Sequence, residues 1–251
     1  MIAVWFSNGA PSAVALKMTI EKYGIENVRA VHNPIAEEDE DNHRFGREVA
    51  EWCGIEIEDF TNPKYPSASA MDVWDRRKAM SFPNGAPCTR HLKIEVRQAW
   101  EAENAAEWHV LGFTAEERAR HDRFVLTERP NVLPVLIDAG MTRSMCADRL
   151  RGAGIVLPRV YDWGLPNANC LGCVKATSPT YWNLIRRVAP EVFRQREEQS
   201  RRLGAKLVRV RNERIFLDEL SPHHRGRPIN TMPECGLFCE EPGAPPERTA
   251  A

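Results

Sequence analysis

The stretch IAVWFSNGAPSAVALKM, residues 2–18, decides the fold class. Residues 2–6 are a short apolar run that reads as a strand. Ser7 to Ala10 make a tight polar loop, and a helix follows. Pro11 suits the first helical position, where its missing N–H would have no intrahelical partner. Ala13, Val14, Leu16 and Met18 give that helix a mostly apolar face. A strand feeding a small-residue loop into a helix start presents backbone N–H groups and the positive end of the helix dipole. That combination suits phosphate. Ser7 and Ser12 add hydroxyls, and Gly9 permits close backbone approach. Asn8 completes the loop. The same pattern also fits a plain first βα turn of any α/β protein. It is not a Walker motif, because no Gly-Lys-Ser/Thr follows.

Outward from this stretch, strand and helix signals alternate. Strands are predicted over 28–32, 55–60, 108–113 and 132–137. Helices are predicted over 42–53, stopped by Gly54, over a short segment near 72–80, and over 89–103 and 115–126. Another runs from a Thr142 cap to Arg151. Five strands separated by helices predict a doubly wound, five-stranded parallel sheet, Rossmann-like, with the first strand at its centre. Ligands of such sheets sit beyond the C-terminal strand ends. The loop 7–12, His32-Asn33 and Gly112 to Arg118 should therefore share one crevice.

Domains are expected at 1–165 (nucleotide-binding α/β) and 166–240 (a Cys-rich, basic C-terminal extension), with a disordered tail over 241–251. The C-terminal region carries a basic helix near 190–203 and a hairpin pairing 207–210 with 214–217. The whole chain of 251 residues has 34 Lys and Arg against 35 Asp and Glu, so net charge argues for no polyanion partner. Charge is uneven, though. The run EEDED at 37–41 reads as a solvated loop and helix start. Lys175 to Arg227, including His223-His224-Arg225-Gly226-Arg227, is strongly basic. That stretch is either a solvated face or a track for nucleic-acid phosphates. No apolar run approaches the roughly 18 residues of a membrane span. The start lacks the basic n-region of a signal peptide, and a cytoplasmic location without a membrane partner is expected.

Seven cysteines in a reducing compartment read as thiols or metal ligands. Cys170 and Cys173 form a CxxC, and Cys235 and Cys239 a CxxxC. Two close pairs suit a four-thiolate site for iron–sulfur or zinc, against the alternative of small buried hydrophobes. Cys53 and Cys146 sit in apolar helical patterns and fit the core. Cys88 follows Pro87 at a helix start, where a thiolate is stabilised.

Several blocks, in order, resemble the phosphoadenylylsulfate (PAPS) and adenylylsulfate (APS) reductases of the adenine nucleotide alpha-hydrolase-like (PP-loop) superfamily. Ser7 to Ser12 is similar to its S-G-G-x-D-S loop, with Asn8 for Gly and Pro11 for Asp. Asn42 to Gly54 looks like the helix after the second strand. Cys88 to Lys93 looks like its Cys-Cys-x-x-x-Lys block with one cysteine missing, and Leu111 to Arg118 like a segment that contacts nucleotide. Tyr161-Asp162-Trp163-Gly164 and Cys170 to Cys173 resemble its Y-D-x-G…G-C-x-x-C segment. Glu234-Cys235-Gly236-Leu237 is similar to its E-C-G-[IL]-H motif, with Phe238 for His.

The resemblance implies an adenine nucleotide (ATP, APS or PAPS) held by Ser7, Asn8, Gly9, Ser12, Asn33, Gly112, Lys93 and Arg118. It further implies a 4Fe–4S cluster on Cys88, Cys170 and Cys173, and Cys235 as the nucleophile. Cys239 is the candidate fourth ligand. The rival partition joins Cys170, Cys173, Cys235 and Cys239 in one site and leaves Cys88 apart, with zinc as the alternative metal. Arg90, Lys93 and Arg118 offer charge for phosphate or sulfate oxygens. The leading expectation is a reductase-like enzyme of thiol-dependent sulfur chemistry, with a thiol reductant or sulfur-donor protein as partner. ATP-dependent thiolation of tRNA or DNA, and a non-catalytic metal-stapled nucleotide-binding module, are the alternatives.

Overall fold

The computed structural model describes residues 1–82 and 85–231. In it the leading run is a strand, β1 (Ile2–Phe6), buried along its whole length. A strand covered on both faces has no solvent side, so it reads as an unbroken apolar run. The chain continues through α1 (Ala10–Tyr23), β2 (Val28–His32), α2 (Asp41–Cys53) and β3 (Ile57–Asp59). It returns through α3 (Ala70–Arg77), α4 (Pro87–Thr89) and α5 (Glu95–Glu103) to β4 (Trp108–Val110), α6 (Arg118–Thr127) and β5 (Val132–Leu133). All pairings are parallel, in the order β3-β2-β1-β4-β5. The sheet is thus an α/β, Rossmann-like one with β1 central, and its strand order reverses between β1 and β4.

Alternation along β1 divides the two faces. Ile2, Val4 and Phe6 pack with Val14 and Leu16 of α1 and Phe45 and Val49 of α2. Ala3 and Trp5 pack with Val31 and Trp100 of α5 on the other side. Beyond β5 come α7 (Val135–Asp138), α8 (Arg143–Gly152), α9 (Pro179–Val188), α10 (Pro190–Arg202), β6 (Val208–Val210) and β7 (Glu213–Ile215). Val135 and Leu136 of α7 and Cys146 and Leu150 of α8 join the core of β1 and α1, whereas residues of α9, α10 and the β6–β7 ribbon share a third core with Ile35, Tyr65, Trp74 and Leu92.

Three expectations are corrected. The strand predicted over 132–137 stops at Leu133, and 135–138 is a helical turn. Pro134 has no N–H with which to continue a ladder. The strand predicted over 108–113 ends at Val110, because residues 111–113 turn to wall a cleft. Helix α9 went unread, although Ser178 caps it and Pro179 opens it. The tail over 241–251 and the pair Cys235 and Cys239 lie outside the described residues.

The acidic run is not a solvated loop. Glu37 accepts from Ser69 Oγ (2.7 Å) and from the N–H groups of Ala70 (2.8 Å) and Met71 (3.1 Å), capping α3 from a distant part of the chain. Asp39, with only 5% exposure, and Glu40 both pair with Arg159. Asp41 binds Arg44 in a fork and accepts from Arg159 N–H, and Arg44 also donates to Val156 and Leu157 carbonyls. The Arg44 bond outweighs partial burial and pulls the Asp41 carboxyl down to about 2. The run clamps residues 156–159 and α3 to the start of α2. Glu37→Ala is expected to cost about 1–2 kcal/mol, the usual loss of a cap, read as a lower urea midpoint with an unchanged m value.

Candidate functional site

The loop after β1 is braced internally. Ser12 Oγ donates to Gly9 carbonyl (2.9 Å) and accepts from Ser7 N–H and Ser7 Oγ, each at 3.1 Å. Ala10 N–H, one of the first donors of α1, is taken by Tyr161 Oη at 3.2 Å. Pro11 stands in the first turn, one residue later than predicted. Asn8 has φ +53°, a left-handed conformation that suits Gly and that Asn tolerates best among other residues. Gly46 of α2 makes room for it: a Cβ at 46 would lie 2.9 Å from Asn8 Oδ1.

Beneath the loop, Asn8 Nδ2 lies 3.0 Å from His32 Nε2, and His32 Nδ1 lies 2.8 Å from Asp59 Oδ1. Glu38 is also near, at 3.9 Å from Nε2. Burial alone would depress the imidazole, but the hydrogen bonds and charges of Asp59 and Glu38 prevail and raise it to about 9. The imidazole is thus favoured in its charged form behind the loop, with its charge met by Asp59 and Glu38, and that form needs the Asn8 amide oxygen rather than its nitrogen toward Nε2.

A cleft of about 330 Å3 opens at the switch between β1 and β4, within the size range of small-ligand sites. Ser7, Gly9, Ser12, Asn33, Lys93 and Gly112 all line it. Gly112 permits the closeness of the two strands' loops, since a Cβ there would lie 2.8 Å from Ser12 N. Asn33 donates to Phe60 carbonyl (3.1 Å), while its Oδ1 is buried with no partner among the described residues. A ligand N–H or O–H would satisfy that acceptor.

Asn8 and Arg118 do not line the cleft: Asn8 is turned onto His32, and Arg118 is exposed on α6. The lining face of α6 is Arg120, Arg123, Phe124 and Thr127, a spacing of i, i+3, i+4 and i+7. That period was legible in the sequence and points away from Arg118. Arg143 joins from α8. Glu117 pairs with Arg120 (2.7 Å) and Arg143 (3.3 Å). Burial opposes its ionisation, but Thr114 N–H and the two arginines hold its carboxyl below the usual range. Arg123 makes no ion pair among the described residues.

A second, smaller cavity lies alongside. Cys88, Cys170 and Cys173 line it together, with Ile35, Trp74 and Val174. Lys93 and Asn169 line both spaces. Lys93 stands in a wide helical turn, Arg90–Ile94, between α4 and α5, where Glu95 N–H bonds Arg90 carbonyl. Such π-turns recur at functional sites. The CxxC loop is held by Tyr181, whose Oη accepts from Cys173 N–H at 2.8 Å. Gly172 has φ +68°, and a Cβ there would lie 3.0 Å from Arg196 Cγ. Arg196 is 1% exposed, donates to Gly172 carbonyl, and has Nη1 buried without a partner among the described residues. Burial pulls its pKa down, opposed by the charges of Glu37, Cys170 and Cys173. A buried guanidinium therefore stands beside the CxxC loop.

The donors at this cavity are sulfur, which suits an iron–sulfur cluster or zinc rather than a hard cation. Among the described residues, no group of three or more His, Cys, Asp or Glu is arranged to hold a metal ion. Cys53 and Cys146 belong to the core, and burial pushes their thiols up to about 11 and about 12. No helix among the described residues is long and apolar enough to cross a membrane. The chain matches no protein-family model and no curated protein.

The His32 arrangement has a pH signature. Its imidazole titrates near 6.5 when unfolded and near 9 when folded. The resulting stabilisation is complete below about 6.5 and is lost as pH rises through about 9. The melting temperature should fall over that window, and Asp59→Asn should flatten the fall. Parallel profiles would remove the imidazolium from behind the loop.

Proposed function

We propose that the chain is a PAPS reductase-like enzyme that binds an adenine nucleotide in the cleft and performs thiol-dependent sulfur chemistry beside it. One observation carries the reading: the cleft holding Ser7–Ser12 and the cavity lined by Cys88, Cys170 and Cys173 share a wall, made by Lys93 and Asn169. Phosphate suits the α1 start with Lys93, Arg120, Arg123 and Arg143 around it. The unsatisfied acceptor on Asn33 suits a donor on the nucleoside.

Cys88, Cys170 and Cys173 would hold a cluster, with Cys239 as fourth ligand. Such a cluster, when bound, supplies an electrostatic or electron-transfer centre. For an adenylylsulfate the Cys235 thiolate attacks sulfur. A sulfur–sulfur bond forms, and the sulfur–oxygen bond to the phosphate breaks, leaving the nucleoside phosphate. A thiol of a reductant protein then attacks the Cys235 sulfur, forming a disulfide and releasing sulfite. Two thiols are oxidised and the sulfate sulfur gains two electrons. A reducing compartment such as the cytoplasm suits both thiols and cluster.

Titration calorimetry with ATP, APS and PAPS tests the cleft. At least one should bind, and Arg123→Ala should weaken it about tenfold, the value of a lost charge-assisted hydrogen bond. A chain that binds none of them sinks the reading. For the chemistry, Cys235→Ser should abolish sulfite release from the nucleotide sulfate while leaving nucleotide affinity intact. Cys173→Ser should lose bound metal and its visible absorbance. Full retention of metal would remove Cys173 from the ligand set.

A further inference from the structure

The ribbon β6–β7 has two unlike faces. Val208 is fully buried, and Val210 and Ile215 pack against the same core. Arg209 and Arg214 are directly opposite one another, so they project together from the other face, and both are exposed. Like charges in that position repel. At the tip, Arg211 has φ +54°, a conformation in which such turns ordinarily place Gly, and it too is exposed. Arg214 Nη1 donates to the Leu207 carbonyl at 3.0 Å, which holds the guanidinium without neutralising it. Arg209, Arg211 and Arg214 make no ion pair among the described residues. The exposed arginines of α10 behave differently: Arg194 pairs with Glu191, Arg201 with Asp218, and Arg202 with Asp75.

A second segment brings more charge to the same place. Arg209 N–H bonds Thr177 carbonyl at 2.8 Å, and Ser178 Oγ bonds Arg227 carbonyl at 2.7 Å. Consecutive residues at the start of α9 therefore hold the ribbon on one side and Arg225 to Arg227 on the other. Gly226 makes this docking possible, since a Cβ there would lie 2.6 Å from Pro179 Cδ. Arg225 and Arg227 are exposed and make no ion pair among the described residues either. Arg209, Arg211, Arg214, Arg225 and Arg227 thus stand on two segments docked to adjoining residues at the start of α9, in a chain whose net charge is −1.

We propose that this surface binds the phosphate backbone of a nucleic-acid duplex. The ribbon carries three arginines against the single carboxylate of Glu213, and regularly spaced phosphates supply the further anions, since guanidinium forks match phosphate oxygens. A two-stranded β-ribbon also has a cross-section that a major groove admits. The inference is independent of the nucleotide cleft and goes beyond it. By chain continuity the surface begins two residues after Lys175, which lines the cysteine cavity.

The test uses the full-length chain and fluorescently labelled duplexes of DNA and of RNA, followed by anisotropy across a salt series. The wild type should bind at least one duplex at about 50 mM salt, with affinity falling steeply as salt rises. The variant R209T/R211G/R214T removes three charges and relieves the strained turn while losing the Arg214 bond to the Leu207 carbonyl, so its melting temperature should stay close to that of the wild type. It should bind at least tenfold more weakly, with a salt slope smaller by up to about 2.7, the value for three lost phosphate contacts. Arg151→Ala, remote in sequence and already paired with Asp148, should bind as the wild type does. The DNA and RNA arms identify the duplex. Three results would each overturn the proposal: no duplex binding, an unchanged triple variant, or displacement of the duplex by polyglutamate at lower charge concentration than by unlabelled duplex.

Discussion

At the centre of the molecule, the loop after β4 touches the first turn of α1 at van der Waals limits. The tightest point is residue 112, where even a methyl group would lie 2.8 Å from the Ser12 amide nitrogen. That contact sets the separation of β1 and β4 at the place where strand order reverses. With α1 drawn in this far, its first turn, Asn33 and the lining face of α6 converge on a single space. A bulkier junction would part them, and the serine-braced loop would face solvent.

Around that contact, buried charge is organised by acids that are early in the chain. Glu37 caps α3, Glu38 and Asp59 sustain a charged His32, and Asp39 and Asp41 fasten Arg159 and Arg44. These bonds bring the 156–165 segment, and with it Tyr161, over the start of α1. Charged groups taken from water are costly unless paired. Once paired, they commit distant segments to one arrangement. Arg196 is the exception: its Nε donates to the Gly172 carbonyl, but its buried Nη1 has no partner among the described residues. It lies beside the CxxC loop, so the proposed thiolate chemistry would supply the anion it lacks.

Much of the fold was legible because burial on both faces leaves a signature in residue types. The unbroken run of β1 and the periodic apolar face of α2 read directly as a parallel-sheet core. Short apolar runs read less well. Val135, Leu136 and Ile137 are all buried, and nothing in their periodicity separates a strand from a helical turn. At the site, Ser7, Gly9, Ser12, Asn33, Lys93 and Gly112 were identified from their positions after strands or from motif resemblance, and all six line the cleft. Arg120, Arg123 and Arg143 were missed, because which face of a helix meets a cavity depends on how that helix is docked.

By itself the sequence determined the class of the fold, the central strand, and the residues with loop or thiol chemistry, since each follows from local pattern and side-chain type. Only the tertiary structure decided that EEDED is a set of clamps on α3, Arg44 and Arg159, that Cys88 joins Cys170 and Cys173 at one cavity, and that Lys93 lines both that cavity and the cleft. It also decided that three arginines of a short ribbon make no ion pair among the described residues. The physical reason is the same in each case. A charged or polar side chain has no fixed role until packing determines whether its neighbour is water, a carboxylate or a cavity, and those neighbours come from segments far away in the chain.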